Sequence, residues 1–192
     1  MTRPIDRGDV REALIRAGTD MLDEPGNTPL TLRGIAARAG VSHGAPAHHF
    51  NGLPGLRVAI AIRGFNAFFT ALSAARNGIS GSHEDVLTGV CQAYIHFAET
   101  RRGLFRLMFD ELAAPTPELG EAATRSYMLL RELCHPFTDD EDPRLETTIW
   151  AMTHGYAALE LGRARAPSAP FQPPDYEDLL RRILARHGRE GK

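Results

Sequence analysis

Apolar residues recur every three or four positions along nearly the whole chain, which is the spacing that places them on one face of an α-helix. Glycine and proline interrupt this spacing at intervals, and no stretch shows the convincing alternation that a strand requires. The pattern therefore predicts an all-α protein of about nine helices. Its clearest stripes lie in the first helix (Val10, Leu14, Ala17, Met21 and Leu22), the fifth (Val86, Val90, Tyr94 and Phe97) and the last (Tyr176, Leu179, Leu180, Ile183 and Leu184).

Capping residues and prolines predict where the helices begin and end. Thr31 is placed to cap a short second helix, and Gly40 follows that helix where a left-handed backbone is cheap. Ser42 is placed to cap a third helix that reaches about His49, although Pro46 within it predicts a late or irregular start. Further boundaries are the break at 25–27, Pro54 at the start of the fourth helix, the Ser82 to Asp85 capping box, Pro117, the loop 138–142, Pro143 and a proline-rich linker at 164–174.

Charge is distributed unevenly along the 192 residues, although the formal net charge is only -2. The stretch between Pro25 and His83 contains five Arg and no Asp or Glu, whereas residues 84–192 contain thirteen basic and eighteen acidic side chains. A basic segment attached to an acidic body is typical of a protein in which one part binds a polyanion. The distribution thus favours nucleic acid as a partner of the N-terminal third.

Other features limit the class of protein. Cys91 and Cys134 are 43 residues apart without a C-x-x-C motif, so we expect two reduced thiols rather than a disulfide or a zinc ribbon. The N-terminus has no apolar leader, and no uninterrupted apolar run approaches 18 residues. We therefore expect a cytoplasmic protein with no membrane partner.

The segment from Leu30 to Phe50 contains the strongest motif. Two short predicted helices are joined at Gly40-Val41-Ser42, and Ala36 is small enough to let the helices approach closely. Ile35 before the turn and Val41 after it can share a small core. This is the helix-turn-helix arrangement, whose second helix presents its N-terminal end to the major groove of DNA.

The sequence resembles the TetR family of transcriptional regulators. The resemblance rests on Ile35-Ala36-x-x-Ala39-Gly40-Val41-Ser42 followed by His49-Phe50, and on Trp150, His154 and Gly155, which look like the signature of the WHG-type C-terminal domain. It implies a DNA-binding domain at 1–52 with its motif at 31–50, and an effector-binding and dimerisation domain at 53–192. It also implies a homodimer that binds a palindromic operator, usually as a repressor, and releases it when a small molecule binds.

The resemblance also implies which side chains contact DNA. His43, Gly44, Ala45 and His48 would face base edges or the groove, and Thr31, Arg33, Ser42 and His49 would contact phosphates or hold the core of the motif. Two family residues are missing: Ala47 replaces a usual Tyr, and Leu53 a usual Lys. Arg57 is the predicted partial substitute, and we expect weak non-specific affinity with a shallow salt dependence.

Aromatic residues suggest where the effector binds. Many of them are expected simply to pack helices together, but several provide an apolar lining with a few polar groups, which suits a small hydrophobic or aromatic effector. The predicted effector residues are Phe69, Tyr94, Phe105, Met108, Tyr127, Trp150 and His154. The resemblance and the broad apolar faces of residues 149–161 and 176–184 predict the dimer surface there, with Leu180 and Ile183 in it.

Alternative functions find less support in the sequence. No Cys or carboxylate lies between Pro25 and His83 to complete a metal site with His43, His48, His49 and His83. A di-iron bundle needs two Glu-x-x-His motifs and two further Glu, and only one such motif, Glu132-x-x-His135, is found. No nucleotide-binding or hydrolase motif is present, so neither a cofactor nor an enzyme activity is expected. A helical small-molecule-binding protein with a degenerate DNA-binding motif remains the second hypothesis, because of Ala47 and Leu53.

Overall fold

The computed structural model describes residues 7–24, 29–138, 143–163 and 171–190, and within these ranges it contains nine α-helices, one short 3-10 helix and no strand. The prediction of an all-α protein with about nine helices is confirmed. The helices are α1 (Arg7–Asp23), α2 (Leu32–Ala39), α3 (Ala45–His49), α4 (Gly52–Gly78), α5 (His83–Thr100), α6 (Arg102–Glu111), α7 (Pro117–Cys134), α8 (Arg144–Ala158) and α9 (Tyr176–Glu190), with the 3-10 helix at His135–Phe137.

Most predicted boundaries agree with the structure to within two residues. The capping box forms as predicted: the Ser82 amide donates to the Asp85 carboxylate at 2.8 Å, and the Asp85 amide donates to Ser82 Oγ at 3.2 Å. The Asp85 carboxylate also accepts a hydrogen bond from the Ser82 hydroxyl at 2.8 Å, and this bond together with the one from the Ser82 amide holds the pKa of Asp85 below its ordinary value. The fourth helix begins at Gly52, two residues before Pro54. The predicted break at 25–27, part of the acidic loop and most of the 164–174 linker lie outside the described residues.

The chain divides into two compact units: the described residues of 1–67 and 101–123 belong to the first, and those of 68–100 and 124–192 belong to the second. In the first unit, α1 packs on α2, α3 and α6. Its core contains side chains with no exposed surface, among them Leu14, Ile35, Leu56, Ile60 and Leu104.

Within the first unit, α6 begins against the end of α1. A Cβ atom added at Gly103 would overlap the backbone carbonyl of Leu22, so only glycine fits this approach. Arg101 Nε donates to Asp23 Oδ2 at 2.5 Å beside it. Burial raises the pKa of Asp23 although the Arg101 guanidinium opposes the rise. The two helices are thus joined both by backbone contact and by an ion pair.

In the second unit, α8 packs against α5 and α9. Tyr176 and Thr153 share a hydrogen bond of 2.6 Å between their hydroxyl groups, and both also hydrogen-bond the Cys91 thiol. Cys91 and Cys134 are free and buried, and burial raises the pKa of Cys134 to about 12. Both thiols are therefore protonated and poorly reactive in the folded chain.

Two expectations about apolar helices change with the structure. Leu180 has no exposed surface, so it belongs to the core of the second unit and the prediction that it lies at a dimer surface is not supported by its position. Among the described helices, α4 is long and apolar enough to cross a membrane by length and composition alone. Leu56, Ile60, Phe65 and Phe68 of α4 are buried, as in the core helix of a globular protein, which passes the same test.

Candidate nucleic-acid interface and effector site

The first half of the helix-turn-helix is fixed by caps at both ends of α2. Thr31 has extended backbone, and its Oγ1 accepts a hydrogen bond from the Gly34 amide at 3.1 Å. Gly40 adopts φ 68° and ψ 29°, and its N–H bonds back to the carbonyls of Ala36 and Ala37. A left-handed residue is needed here to reverse the chain, and glycine adopts it without steric cost. Both caps agree with the prediction.

The third helix begins at Ala45, later than the sequence pattern alone would place it. Its N-cap is Gly44, so the prediction that Ser42 caps this helix is wrong. The Ala45 amide instead donates to the Ser42 carbonyl at 3.0 Å, which closes a turn ahead of the helix. Pro46 explains the shift: as the second residue of α3 its missing N–H would have had no helical acceptor. The expected late start is confirmed.

Exposed and buried positions of this segment separate as a DNA-reading helix requires. Pro46 and Phe50 are buried, and the Arg11 guanidinium lies 5.2 Å from the centre of the Phe50 ring. Of the predicted DNA contacts, Thr31, Arg33, Ser42, His43, Gly44 and His48 are exposed, and Ala45, His49 and Arg57 are partly exposed. The two buried residues anchor α3 and leave its other positions on the surface. All of these predicted contacts except Arg57, which lies on α4, belong to the segment 31–50.

The acid-free segment, the stretch between Pro25 and His83 that contains no Asp or Glu, carries less uncompensated positive charge in the folded protein than its sequence suggests. Four of its five Arg form ion pairs with carboxylates from outside the segment, and only the exposed Arg33 forms none with a carboxylate in the described ranges. The pairs are Arg38 with Glu24, Arg57 with Glu111, Arg63 with Glu12, and Arg76 with Glu132. A count of charges along the chain does not reveal this, because three of the four acids lie more than fifty residues from their Arg partners.

Arg57 is the predicted substitute for the two missing phosphate contacts. Its Nε donates to Glu111 Oε1 at 2.6 Å, and the Glu111 side chain is only 17% exposed. A partly buried pair of this kind is screened less by salt than an exposed one. The positive charge that Arg57 would offer to DNA is thus partly compensated by α6.

Five of the predicted effector residues lie in the second unit. The Tyr94 hydroxyl on α5 lies 2.9 Å from His154 Nδ1 on α8, and the Trp150 indole also hydrogen-bonds Tyr94. Trp150 and His154 are four residues apart and therefore share a helix face. The buried Tyr94 hydroxyl thus bonds to both Trp150 and His154. These two hydrogen bonds join α5 to α8.

The electrostatics of this group favour uncharged side chains. Burial raises the pKa of Tyr94 far above its ordinary value, although the hydrogen bond from Trp150 opposes the rise. Burial lowers the pKa of His154. Both shifts reflect the cost of a charge away from water. The phenol and the imidazole are accordingly both neutral at pH 7.

Tyr127 and Phe69 complete the second-unit set. The Tyr127 ring meets the Trp150 ring edge to face at 5.7 Å, and the Tyr127 hydroxyl donates to Glu146 Oε1 at 2.6 Å. That hydrogen bond raises the pKa of Tyr127. The Arg125 guanidinium lies 5.3 Å from the centre of the Phe69 ring. These contacts join α7 to α8 on one side and to α4 on the other.

The remaining two predicted effector residues belong to the first unit. Met108 has no exposed surface, and Phe105 is buried with its ring 4.8 Å from that of Phe109. Phe109 also meets Phe65 at 5.6 Å. The structure therefore places Phe105 and Met108 in an aromatic core around α6, which is the packing role expected of most aromatic residues.

Two polar residues in the second unit escaped the sequence analysis. Glu146 is 6% exposed and lies one helical turn before Trp150, on the same face of α8. Ser126 is 7% exposed and interrupts an apolar stripe along α7 formed by Leu119, Ala122, Leu129 and Leu133. A single polar residue at a core position of a regular apolar stripe was the signal in the sequence that could have identified it.

Within the described residues no group of three or more His, Cys, Asp or Glu could hold a metal. Glu132 of the Glu-x-x-His sequence pairs with Arg76.

A capped helix-turn-helix together with a second helical unit is typical of DNA-binding regulators. Comparisons with known proteins agree with this class. A family model described as the C-terminal domain of tetracycline-repressor-like proteins matches residues 87–187, just over half of the chain. The chain belongs to the TetR family of transcriptional regulators. It is 24% identical over 156 residues to Rv0681 of Mycobacterium tuberculosis, an HTH-type transcriptional regulator, with coverage of 79% of this chain and 70% of that protein.

Solved structures show the same fold over nearly the whole chain. A protein of unknown function from Rhodococcus sp. RHA1 is 25% identical with a TM-score of 0.77, and the match covers 98% of each chain. The TetR family regulator PfmR from Thermus thermophilus is 16% identical with a TM-score of 0.59, over 92% of this chain and 97% of that one. At the lower identity the likeness concerns the fold alone.

Proposed function

We propose that this protein is a repressor that binds a palindromic double-stranded DNA operator as a homodimer and releases it when a small hydrophobic or aromatic effector binds. Residues 1–52 form the DNA-binding domain in this proposal, and residues 53–192 the effector-binding and dimerisation domain. The protein acts in the cytoplasm without a cofactor and is not an enzyme.

The observation that carries the proposal is the exposed surface formed by the turn before α3 and by α3 itself, residues 42–49. Ser42, His43, Gly44 and His48 reach solvent from a motif whose core is fixed by Ile35 and Phe50. Gly44 and Ala45 have no hydrogen-bonding side chain, so base recognition depends on the two histidines, on bridging water and on DNA shape. The proposal thus predicts moderate discrimination at each base pair.

Selection of DNA from a genomic pool by the purified full chain tests this function. We expect enrichment of sites with two symmetric half-sites about one helical turn apart. Replacing both histidines, H43A with H48A, should weaken binding to the selected site by about tenfold or more, because good base contacts contribute about 1–3 kcal/mol each. A pool in which no sequence is enriched would contradict the proposal.

A second candidate is a helical small-molecule-binding protein whose DNA-binding motif has degenerated. Ala47 and Leu53 replace two side chains that resembling proteins use for phosphates, and the ion pairs of Arg38 and Arg57 reduce the available positive charge further. The unenriched pool described above is the result that this alternative predicts.

Freeing Arg57 is expected to strengthen DNA binding. Glu111→Gln removes the carboxylate that holds Arg57, so the guanidinium gains a phosphate contact. One more phosphate neutralised steepens the slope of log K against log salt by about 0.9, which corresponds to about five- to tenfold tighter binding near 0.1 M salt. Fluorescence anisotropy with labelled operator over a salt series measures both quantities.

Glu12→Gln is the matched control for that experiment. It frees Arg63, which lies six residues further along α4 and hence about 9 Å from Arg57 along the helix axis. The slope of log K against log salt for Glu12→Gln should equal the wild-type slope. Equal slopes for wild type, E111Q and E12Q would show that Arg57 does not contact phosphate.

The dimer interface is assigned in this proposal to the outward face of α8. Thr147, Thr148, Ala151 and Ala158 are exposed there, and Leu159 at the end of the helix is 71% exposed. These side chains are uncharged and mostly small, so a partner helix can approach closely. The outward face of α9 is charged by comparison, with Asp178 and Arg182 exposed.

A further inference from the structure

Ser126 on α7 is a buried hydroxyl that the fold does not use. The residue is 7% exposed, and its Oγ, itself buried, has no hydrogen-bond partner in the described part of the chain. A serine in a helix can usually bond to the carbonyl one turn earlier. Leaving a buried donor without a partner costs free energy, so such a group in a native protein requires an explanation.

The neighbours of Ser126 determine where its side chain points. Arg125 extends to Phe69 on α4, and Tyr127 extends to Glu146 and Trp150 on α8. Successive helical residues are rotated by about 100°, so residue 126 points between the directions of residues 125 and 127. The hydroxyl is therefore aimed between α4 and α8.

Four helices of the second unit surround that direction. α7 contacts α4 through Arg125 and Phe69, and α8 through Tyr127 and Trp150. The ring is closed by α5, where Tyr94 contacts Phe68 of α4 at 4.7 Å and His154 of α8. Ser126 thus faces the interior of a four-helix arrangement in which Phe68 and Tyr94 provide buried aromatic rings.

Charged side chains near Ser126 already have partners. Arg125 lies over the Phe69 ring, Glu132 pairs with Arg76, and Arg131 lies 3.8 Å from the buried Glu146 carboxylate. Glu146 also accepts the Tyr127 hydroxyl. An ionised ligand would therefore bring an uncompensated charge into this interior, which is costly.

From these observations we infer that Ser126 is the hydrogen-bonding anchor of the effector and that the effector is a neutral aromatic or aliphatic molecule with a carbonyl or hydroxyl group. The Ser126 hydroxyl donates to that oxygen, while Phe68 and Tyr94 contact the apolar part. This inference rests on the proposed function, because it specifies the effector that the regulator recognises.

Matched probes test the inference on the full-length protein. 4-Phenylbutan-2-one carries a neutral carbonyl, 4-phenylbutanoate an anion, 4-phenylbutylammonium a cation, and butylbenzene no hydrogen-bonding group. Trp150 is the only tryptophan of the chain, so its fluorescence reports binding beside the site. We expect the ketone to bind at least about tenfold more tightly than either ion, because an uncompensated buried charge is expensive.

Ser126→Ala separates binding from folding. Loss of one hydrogen bond should weaken ketone binding by about five- to tenfold and leave butylbenzene binding unchanged. The melting temperature of the variant should equal or exceed that of the wild type, because a buried group without a partner is removed. Thr124→Ala, at an exposed position of the same helix, is the control and should alter neither quantity.

Three results would overturn the inference: equal ketone affinity in wild type and S126A, tighter binding of either ion than of the ketone, or no fluorescence change with any probe up to millimolar concentration. A lower melting temperature of S126A with unchanged ketone affinity would show instead that the hydroxyl supports the fold. The proposed function is judged separately by the DNA selection, so a failed probe series with an enriched operator would refute only the assignment of Ser126.

Discussion

Gly103→Ala is expected to lower the melting temperature by about 2–12 °C and to weaken operator binding severely. The new Cβ would overlap the Leu22 carbonyl, a backbone atom that can move only if the last turn of α1 moves with it. Overpacking of this kind costs about 1–3 kcal/mol. For a chain of this length each kcal/mol corresponds to about 2–4 °C in melting temperature.

Gly120→Ala is the matched control, because it adds the same methyl group to another helix of the first unit. A Cβ at Gly120 has no neighbour within 4 Å beyond its own helix. Replacing a helical glycine by alanine in open space stabilises by about 0.5–1 kcal/mol, so its melting temperature should stay level or rise slightly. If Gly103→Ala and Gly120→Ala both had the melting temperature of the wild type, α6 would not approach α1 as closely as the structure shows.

The position of Gly103 connects stability with the DNA-reading surface. α6 packs on α1, and α1 packs on both α2 and α3. Arg11 of α1 also lies over Phe50, which closes α3. A displaced α1 therefore disturbs the support of the helix-turn-helix without any change to a proposed DNA contact. Circular dichroism for melting and anisotropy for operator binding would measure the two effects in one variant.

Local sequence signals predicted local structure well. Thr31, Gly40 and the Ser82 to Asp85 capping box act within four residues, so their chemistry determines the backbone wherever the rest of the chain lies. The prediction that Ser42 caps α3 was wrong for a reason that is also local. Pro46 restricts the helix start more strongly than a serine favours it, and the first turn forms with Gly44 as its cap.

Long-range pairing could not be predicted from the sequence. The acid-free segment predicted a basic surface, but Glu111 and Glu132 come from α6 and α7, more than fifty residues from their Arg partners. The same limit applies to Phe105 and Met108, whose residue types suit a ligand site and a core equally. Only the tertiary arrangement distinguishes these roles, and here it buries both in the first unit.

Leu159→Glu is expected to convert the proposed dimer into monomers and to reduce operator affinity by at least about a hundredfold. Leu159 is 71% exposed, so the charge costs the single chain little, whereas burying it against a partner helix would be expensive. A monomer binds one half-site without the gain from linking two. Charged replacements of Leu180 would not give this information, because Leu180 is fully buried and its loss would unfold the second unit.

Met128→Glu distinguishes an effect of the α8 face from a general effect of removing exposed apolar surface. Met128 is 48% exposed on α7, so the substitution changes the same property at a different place. Light scattering after size exclusion should give a dimer mass for M128E and a monomer mass for L159E. A dimer mass for L159E would place the interface elsewhere. Monomer masses for both variants would mean that the interface extends onto α7, because one charge at either position would then break the dimer.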